Sequence, residues 1–581
     1  MSAPEHIDPD TTAGGGGPAT RGRERATGAW SPTVTRIAPH RAGAPEPERA
    51  GVANGAASLA DPASRTPSLK SRAIKGTLIW GVAYVFMQVL RLGGNVWLAA
   101  LLAPWTFGLV AIARAIQQGL TMFTELGIRP ALIQSARSDD DFVNTAWTLG
   151  LIRGGAIWLC ASALAYPMAL FYARDELVTL VPLLSLTAVL AGMQSTRSVT
   201  MNRELREGPR AAMEVGTAAL SRAVMIAWAY ASPTPWALVA GTIAGSLATV
   251  LISHTLLPGE INRIRLEKAA MRAIMKFGTW IFVGTMIAFL GQQLDKVMLG
   301  KLDGLNMLGV YTMALALCAI PREVLGTIAV KILYPVMAEM AREAPRHYAR
   351  RVARIRSMIL PLGMACILGV VFASPWFFTL LYRESYHDAA WIAPLACAGV
   401  WVAILNASTN KALLALGKTR ALAVAGLIRV VVTAAACLAG YDLLGVAGFV
   451  LGVAAGALGE HASNLFTLSR CGLNLAWRDT LATLVLAALA MSGWFSFDTL
   501  AAVLPGTDAM FASLANTPSQ ALGWSTLLEL ALPDARGPIL ALVEQAPAVL
   551  ASLVFQAAIT LAVLIPSARQ VLPMLRKARK A

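Results

Sequence analysis

The chain has 581 residues, of which 56% are hydrophobic and only 14% charged, and its mean hydropathy is +0.58. This composition excludes a soluble globular protein and predicts an integral membrane protein that crosses the bilayer many times. The net charge of +16 does not indicate nucleic-acid binding, because the basic residues cluster between hydrophobic segments and in a tail. The six cysteines form no CxxC motif, and GxSxG, P-loop and HExxH motifs are absent from the sequence, so we expect no metal site, no cofactor and no enzyme.

Residues 1 to about 70 are rich in Gly, Ala, Pro and Arg and contain almost no apolar cluster. Such a segment cannot bury enough apolar surface to fold, so we expect a disordered cytoplasmic tail over 1–70. It lacks the apolar core of a secretory signal. A start codon assigned too far upstream explains this segment equally well.

Beyond the tail, apolar segments recur, and each is long enough to cross the roughly 30 Å hydrocarbon layer. They predict an all-α integral membrane protein with about 14 transmembrane helices. The predicted spans are 76–100, 106–127, 144–171, 178–197, 211–231, 234–256, 277–299, 307–332, 355–380, 389–414, 419–439, 443–467, 477–497 and 545–566.

The loops between these spans alternate in charge. Basic residues are frequent in every second loop, and the densest such loop carries Arg342, Arg346, Arg350, Arg351, Arg354 and Arg356. The other loops contribute only Arg174, Lys301, Arg383 and Arg536. Because loops rich in Lys and Arg stay on the cytoplasmic side, the pattern predicts that both termini are cytoplasmic.

An internal repeat links the first and seventh spans. Lys75 precedes Gly108, and Lys276 precedes Gly309, by the same 33 residues, at an offset of 201. A spacing of six helices predicts a parallel repeat with its axis along the membrane normal, and chance similarity is the alternative. The predicted domains are an N-terminal six-helix bundle (71–260), a C-terminal six-helix bundle (261–470) and two further helices (471–581) with a long external loop at 496–545.

Each of the first two spans carries a polar stripe. Arg91 and Arg114 lie near the membrane midplane, where a charge costs roughly 2.5 to 3.5 kcal/mol, so we expect neither to face lipid. The residues that share helical spacing with them are Tyr84, Gln88 and Asn95 in the first span and Gln118, Thr121 and Glu125 in the second. The stripes indicate either polar seams between packed helices or a hydrated cationic cavity.

Acidic residues inside the spans are candidates for ion coupling. Asp295 stands beside Lys296, which favours either an ion pair or a cation or proton site. Glu125, Glu214 and Glu323 are similar candidates, and Glu323 is two helical turns from Lys331, which suits a local pair. Glu460 and His461 in the twelfth span are further titratable candidates near neutral pH, with a structural role as the alternative for the histidine.

Several segments carry a resemblance to a known family. The segment Leu101–Leu109 (LLAPWTFGL) resembles the LLSPEDFGL segment of Wzx-type polysaccharide flippases. The further segments similar to that family are Glu125–Ile128, Ala131–Gln134, Asn144–Trp147 with Arg153-Gly154, Asp295–Gly300 and Leu308–Tyr311. Together they cover about residues 70 to 480. The chain departs from the family at Trp105 and Thr106, which replace its acidic turn.

The resemblance implies membership of the multidrug/oligosaccharidyl-lipid/polysaccharide exporter superfamily, whose two bundles form a V around a central cavity. It implies an oligosaccharide on undecaprenyl pyrophosphate as the substrate, and arginine suits the phosphate oxygens of such a lipid. The residues expected to line a cationic cavity are Arg91, Arg114 and Arg153 in the first bundle and Arg322 and Lys331 in the second. Arg222 and Arg429 are secondary candidates, each with a tie between helices as the alternative.

We therefore expect a flippase in a bacterial inner membrane, for exopolysaccharide or O-antigen assembly, with no bond made or broken. Its expected partners are the lipid-linked oligosaccharide and membrane lipid, with a polysaccharide polymerase and a chain-length regulator as candidate partners. The alternatives are a lipid II flippase, a drug/cation antiporter of the same superfamily and a membrane polysaccharide polymerase or ligase. The last would need polar catalytic groups at the outer face, and the long loop has few.

Overall fold

The computed structural model describes residues 69–124, 139–197, 207–257, 262–268, 270–271, 282–343 and 347–503. Every regular element in these ranges is a helix, which confirms the all-α prediction. Within them, eight stretches are long and apolar enough to cross a membrane. Most of the predicted tail, Glu125, the fourteenth span and most of the long external loop lie outside the described residues.

The N-terminal bundle is built from six helices. They are α1 (Leu69–Leu101), α2 (Pro104–Phe123), α3 (Asp140–Tyr172), α4 (Glu176–Met193), α5 (Glu207–Ala231) and α6 (Trp236–Thr255). Neighbours in sequence pack as antiparallel pairs, α3 with α4 and α5 with α6, while α1 packs on α5. Pro104 occupies the first turn of α2, where its missing N–H leaves no hydrogen bond unmade.

The C-terminal bundle follows the same plan. Its elements are α7 (Phe282–Leu302), α8 (Gly304–Ile328), a π-helical turn (Ala329–Leu333), α9 (Tyr334–Glu343), α10 (Tyr348–Leu381), a short 3-10 turn (Glu384–Tyr386), α11 (Ala389–Ala415) and α12 (Thr419–Arg470). The segment labelled α12 contains two helices that meet at Gly445, where the backbone is not helical and φ is 61°, so the predicted spans 419–439 and 443–467 remain separate. A further helix, α13 (Ala476–Val503), packs on α10.

Helices cover all or most of the first thirteen predicted spans, with two differences in boundary. The external loop was predicted to begin at residue 496, but α13 continues to Val503, and Leu500, Ala501 and Ala502 favour a helix there. The eighth span was predicted as one helix over 307–332, and it is interrupted by the π-helical turn.

The two bundles meet where α2 crosses α8. A Cβ atom added to Gly108 would fall on the backbone carbonyl oxygen of Leu305, and one added to Gly309 would fall on that of Pro104. The two contacts are reciprocal, because Leu305 follows Pro104 by the same 201 residues that separate the two glycines. The parallel repeat is thus visible as a local two-fold relation, and only glycine allows the backbones to approach this closely.

Tyrosines join the bundles close to this crossing. The Tyr386 hydroxyl donates to the Leu102 carbonyl oxygen over 2.7 Å, so the second bundle is tied to the end of α1. The Tyr172 hydroxyl donates to the Val297 carbonyl oxygen over 3.1 Å, so the end of α3 is tied to α7. Both contacts lie at the end of the bundles that the loop charges predict to be external.

Candidate functional site

Three arginines of the N-terminal bundle lie close together: Arg91 on α1, Arg114 on α2 and Arg222 on α5. Arg222 is within electrostatic range of both others, and its Nη1 lies 3.4 Å from Asn95 Oδ1. Arg114 Nη2 donates to Thr242 Oγ1 over 3.3 Å. In the described part of the chain, no carboxylate forms an ion pair with Arg114 or Arg222. Two cations without a counter-ion inside a membrane protein attract an anion strongly.

Arg91 differs from the other two because it is paired. Its Nη1 donates to Glu323 Oε1 on α8 over 3.0 Å. The other carboxylate oxygen, Oε2, accepts hydrogen bonds from Gln88 Nε2 (2.8 Å) and from the Tyr84 hydroxyl (3.1 Å). We call these four residues the Glu323 cluster. Three residues of the stripe predicted on the first span, Tyr84, Gln88 and Arg91, therefore share a face that meets the second bundle. The fourth, Asn95, contacts Arg222 within the first bundle.

Arg153 lies at the far end of α2 from the crossing glycines. Its Nε donates to Thr124 Oγ1 over 3.2 Å, and its Nη2 donates to the Thr121 carbonyl oxygen over 2.6 Å. These bonds tie α3 to the C-terminal end of α2. A role for Arg153 in substrate binding stays a prediction.

Arg322 lines a cavity of about 340 Å³ between α7, α8 and α12. The same cavity is lined by Arg429 and Glu460, whose Nη1 and Oε2 atoms are 3.1 Å apart. Arg322 is exposed and makes no hydrogen bond or ion pair with the described residues. The second bundle thus presents its own cationic group, and Glu323 rather than Arg322 is the residue of α8 that meets Arg91. Lys331 lies in the π-helical turn and is also exposed.

The acidic candidates have specific partners. Asp295 Oδ2 accepts a hydrogen bond from the Tyr311 hydroxyl over 2.8 Å, and Lys296 Nζ donates to Gln293 Oε1 over 2.8 Å instead of pairing with Asp295. The local pair expected between Glu323 and Lys331 is likewise replaced by the Glu323 cluster. A role in ion coupling for Asp295, Glu323 or Glu125 stays a prediction.

A buried polar network in the second bundle was not expected. Arg356 Nη2 lies 2.6 Å and 2.7 Å from the two carboxylate oxygens of Asp479, and His461 Nε2 lies 3.3 Å from Asp479 Oδ2. The charge pattern of the loops predicted Arg356 as a loop residue, whereas it lies inside α10 with 2% of its side chain exposed. A usable signal existed, because Arg356 and Asp479 begin two spans that start on the same predicted side of the membrane.

The arrangement of helices is similar to that in two solved membrane proteins. The chain matches the structure of the lipid II flippase MurJ in an inward closed conformation with a TM-score of 0.56 and 12% identity, over 84% of this chain and 100% of that one. It matches an inward-facing multidrug resistance MATE family transporter of the MOP superfamily with a TM-score of 0.52 and 13% identity, over 66% of this chain and 94% of that one. These likenesses show the fold alone: the protein is an all-α, multi-pass membrane protein.

A comparison with models of protein families identifies the family to which the chain belongs. The model of a family described as polysaccharide biosynthesis protein matches residues 97–391, which is more than half of the chain. The chain therefore belongs to this family, and the resemblance to Wzx-type flippases is confirmed.

Curated relatives agree with this assignment. The teichuronic acid biosynthesis protein TuaB of Bacillus subtilis is 22% identical, over 51% of this chain and 61% of its own length. The lipopolysaccharide biosynthesis protein WzxC of Escherichia coli is 21% identical, over 57% of this chain and 67% of its own length. The succinoglycan biosynthesis transport protein ExoT of Rhizobium meliloti is 20% identical, over 48% and 57%. The matched region thus spans between 57% and 67% of these relatives.

Proposed function

We propose that this protein is a flippase that moves an oligosaccharide linked to undecaprenyl pyrophosphate across a bacterial inner membrane, for exopolysaccharide or O-antigen assembly. Membership of the polysaccharide biosynthesis family and the transporter architecture support this function. The name of the relative ExoT, a biosynthesis transport protein, points the same way. No covalent bond is made or broken, and both termini face the cytoplasm.

The observation that carries the proposal is the pair Arg114 and Arg222, which lie inside the N-terminal bundle without a carboxylate partner among the described residues. A pyrophosphate supplies several anionic oxygens at once, and guanidinium groups bind such oxygens in a bidentate manner. The free energy lost by placing two cations in the membrane is thus recovered when the substrate binds. A drug/cation antiporter would gain nothing from this arrangement, because a cationic drug is repelled by it.

The lipid tail and the head group would follow different routes. The polyprenyl chain stays in lipid, while the pyrophosphate and the sugars occupy the space between the bundles, and rocking of the bundles alternates access. An ion gradient is the proposed driving force, with Asp295, Glu323 and Glu125 as the candidate coupling residues. A polysaccharide polymerase and a chain-length regulator remain candidate partners at the outer face.

The arginines can be tested by export in a strain that lacks this gene. Arg114→Ala and Arg222→Ala should each reduce export at least about tenfold, since each loses a charge-assisted contact worth about 1.5–3 kcal/mol. Arg→Lys at the same positions should retain part of the activity, because charge remains but the fork geometry is lost. The measurements are exported polysaccharide, accumulated lipid-linked oligosaccharide and membrane abundance of each variant.

Arg351→Ala is the matched control, because Arg351 is an exposed arginine of α10 outside the cavity. It should export as the wild type does. Normal export by an abundant Arg114→Ala, Arg222→Ala double variant would contradict the proposal. If the protein complements the loss of a lipid II flippase but not the loss of polysaccharide export, the alternative substrate is correct.

A further inference from the structure

We propose that Glu323 is an internal counter-anion, which occupies Arg91 while the cavity is empty and is replaced there by the pyrophosphate of the substrate. The exchange would release α8 from α1 and so couple substrate binding to the movement of the bundles. This inference rests on the proposed function, and it assigns a role to Glu323, Gln88 and Tyr84 in the same site.

The geometry of the Glu323 cluster carries the first step. All three donors, on Tyr84, Gln88 and Arg91, come from successive turns of α1, and the single acceptor group comes from α8. Among the described residues, every side-chain hydrogen bond between these two helices involves one of these donors, including the 3.5 Å contact of Arg91 Nη2 with the Ala316 carbonyl oxygen. Loss of this one carboxylate would therefore remove every one of these bonds except that of Arg91 with the Ala316 carbonyl oxygen.

A second contact between the bundles, between α2 and α7, has a different character. Gln118 on α2 accepts a hydrogen bond from Gln293 on α7, and the rings of Phe123 and Phe289 pack at 5.1 Å. Gly119 lies directly against the Phe289 ring, at 2.6 Å from the position of an added Cβ. The α2–α7 contact is thus held by neutral and apolar groups, which an anion does not disturb. The α1–α8 side is held by charge, which an anion does disturb.

Arg91 can exchange Glu323 for another hydrogen-bonding anion. Its Nε is buried without a hydrogen-bond partner, and the Glu323 side chain is 41% exposed. An ion pair with this exposure is weakened by solvent and is open to a competitor. A pyrophosphate offers more anionic oxygens than one carboxylate and can contact Arg114 and Arg222 at the same time. It should therefore displace Glu323 from Arg91.

The backbone of α8 is interrupted on both sides of Glu323. Pro321 lies inside the helix two residues earlier, and the π-helical turn Ala329–Leu333 follows six residues later. Proline removes one backbone hydrogen bond, and single π-helical turns are frequent at functional sites. The segment that carries Glu323 therefore has two points at which it can reorient without unwinding the whole helix.

The first test is anion binding by the purified full-length protein in lipid nanodiscs and phosphate-free buffer, with inorganic pyrophosphate and undecaprenyl pyrophosphate as probes. Glu323→Gln keeps acceptor oxygen for Tyr84 but removes the competing charge, so its affinity for both probes should rise by about tenfold or more. Glu339→Gln, the same change at an exposed position of α9, is the matched control and should bind as the wild type does.

The second test measures the distance between α1 and the turn after α8. Spin labels at Val82 and Val330, both exposed, report it in a variant whose native cysteines are replaced. Undecaprenyl pyrophosphate should lengthen this distance in the otherwise unchanged protein, and Glu323→Gln should show the longer distance before any probe is added. Tyr84→Phe removes one donor of the cluster and should shift both readouts in the same direction by a smaller amount.

The outcomes separate the two proposals. If the probes bind and neither Glu323→Gln nor Tyr84→Phe changes affinity or distance, Glu323 is not a counter-anion, and the proposed function stands without it. If neither the wild type nor Glu323→Gln binds either probe, the proposed function is wrong and the inference is wrong with it. An equal gain of affinity in Glu339→Gln would also overturn the inference, because the effect would then be one of net charge.

Discussion

Arg356 and Asp479 form an ion pair that solvent barely reaches, since only 2% and 3% of their side chains are exposed. Removing one partner of such a pair leaves an uncompensated buried charge, which costs about 3–5 kcal/mol. We expect Asp479→Ala to lower the apparent Tm of the detergent-solubilised protein by several degrees. Tryptophan fluorescence during a thermal ramp is the measurement.

Two variants check this prediction. Arg351→Ala removes an exposed arginine from the same helix and should change stability by no more than about 0.5 kcal/mol. The double variant Arg356→Met, Asp479→Leu replaces both charges by apolar groups and should recover a large part of the lost stability. Equal Tm values for Asp479→Ala and Arg351→Ala would mean that the pair contributes nothing to the fold.

The polar stripe of α1 was predictable from spacing, but its partner was not. Tyr84, Gln88 and Arg91 share a face because residues three and four apart on a helix are neighbours. The choice of Glu323 over Arg322 as the residue that meets them depends on the rotation of α8, since adjacent residues point about 100° apart. The contact also joins residues 232 positions apart, and such long-range pairing is not encoded in local periodicity.

At the scale of single elements, the crossing of α2 and α8 depends on the absence of one atom, a Cβ at Gly309. Alanine at Gly309 would place Cβ on the Pro104 carbonyl oxygen. Overpacking of this kind costs about 1–3 kcal/mol, which outweighs the gain of up to about 1 kcal/mol from a better helix former. We expect Gly309→Ala to lower both thermal stability and export, measured on the same membranes.

Gly155→Ala is the control for this change. Gly155 also lies inside a long helix, α3, but no atom lies within 4 Å of the Cβ position. This variant should be as stable as the wild type or slightly more so. Similar losses in the two variants would show that helix crossing has no special role at Gly309.

The interruption of α8 shows a limit of sequence prediction for elements. The apolar run through 307–332 predicts a continuous helix, and the helical backbone does continue through the π-helical turn into α9. The π-helical turn at Ala329–Leu333 changes only which carbonyl each N–H contacts, and hydropathy carries no information on that choice. Pro321, which is visible in the sequence, was the one local signal of a weakened helix.

At the scale of the whole molecule, composition was enough to predict a helical membrane protein, and the repeat between the first and seventh spans predicted two related bundles. The repeat offset marked Gly108 and Gly309 as equivalent, and the structure brings them to the same crossing. The tyrosine contacts that join the bundles near this crossing could not be predicted, because Tyr386 and Leu102 are 284 residues apart in the sequence. The placement of Arg222 beside Arg91 and Arg114, and of Arg429 beside Glu460, likewise depends on packing between helices.

The central claim is that the protein moves an anionic lipid-linked oligosaccharide between leaflets. The most direct test reconstitutes the purified protein into liposomes that contain a fluorescent undecaprenyl-pyrophosphate oligosaccharide, and measures how much of it a membrane-impermeant quencher reaches over time. With an ion gradient applied, wild-type protein should make the protected fraction accessible, and the Arg114→Ala, Arg222→Ala double variant should not. Quenching no faster than in protein-free liposomes would contradict the account.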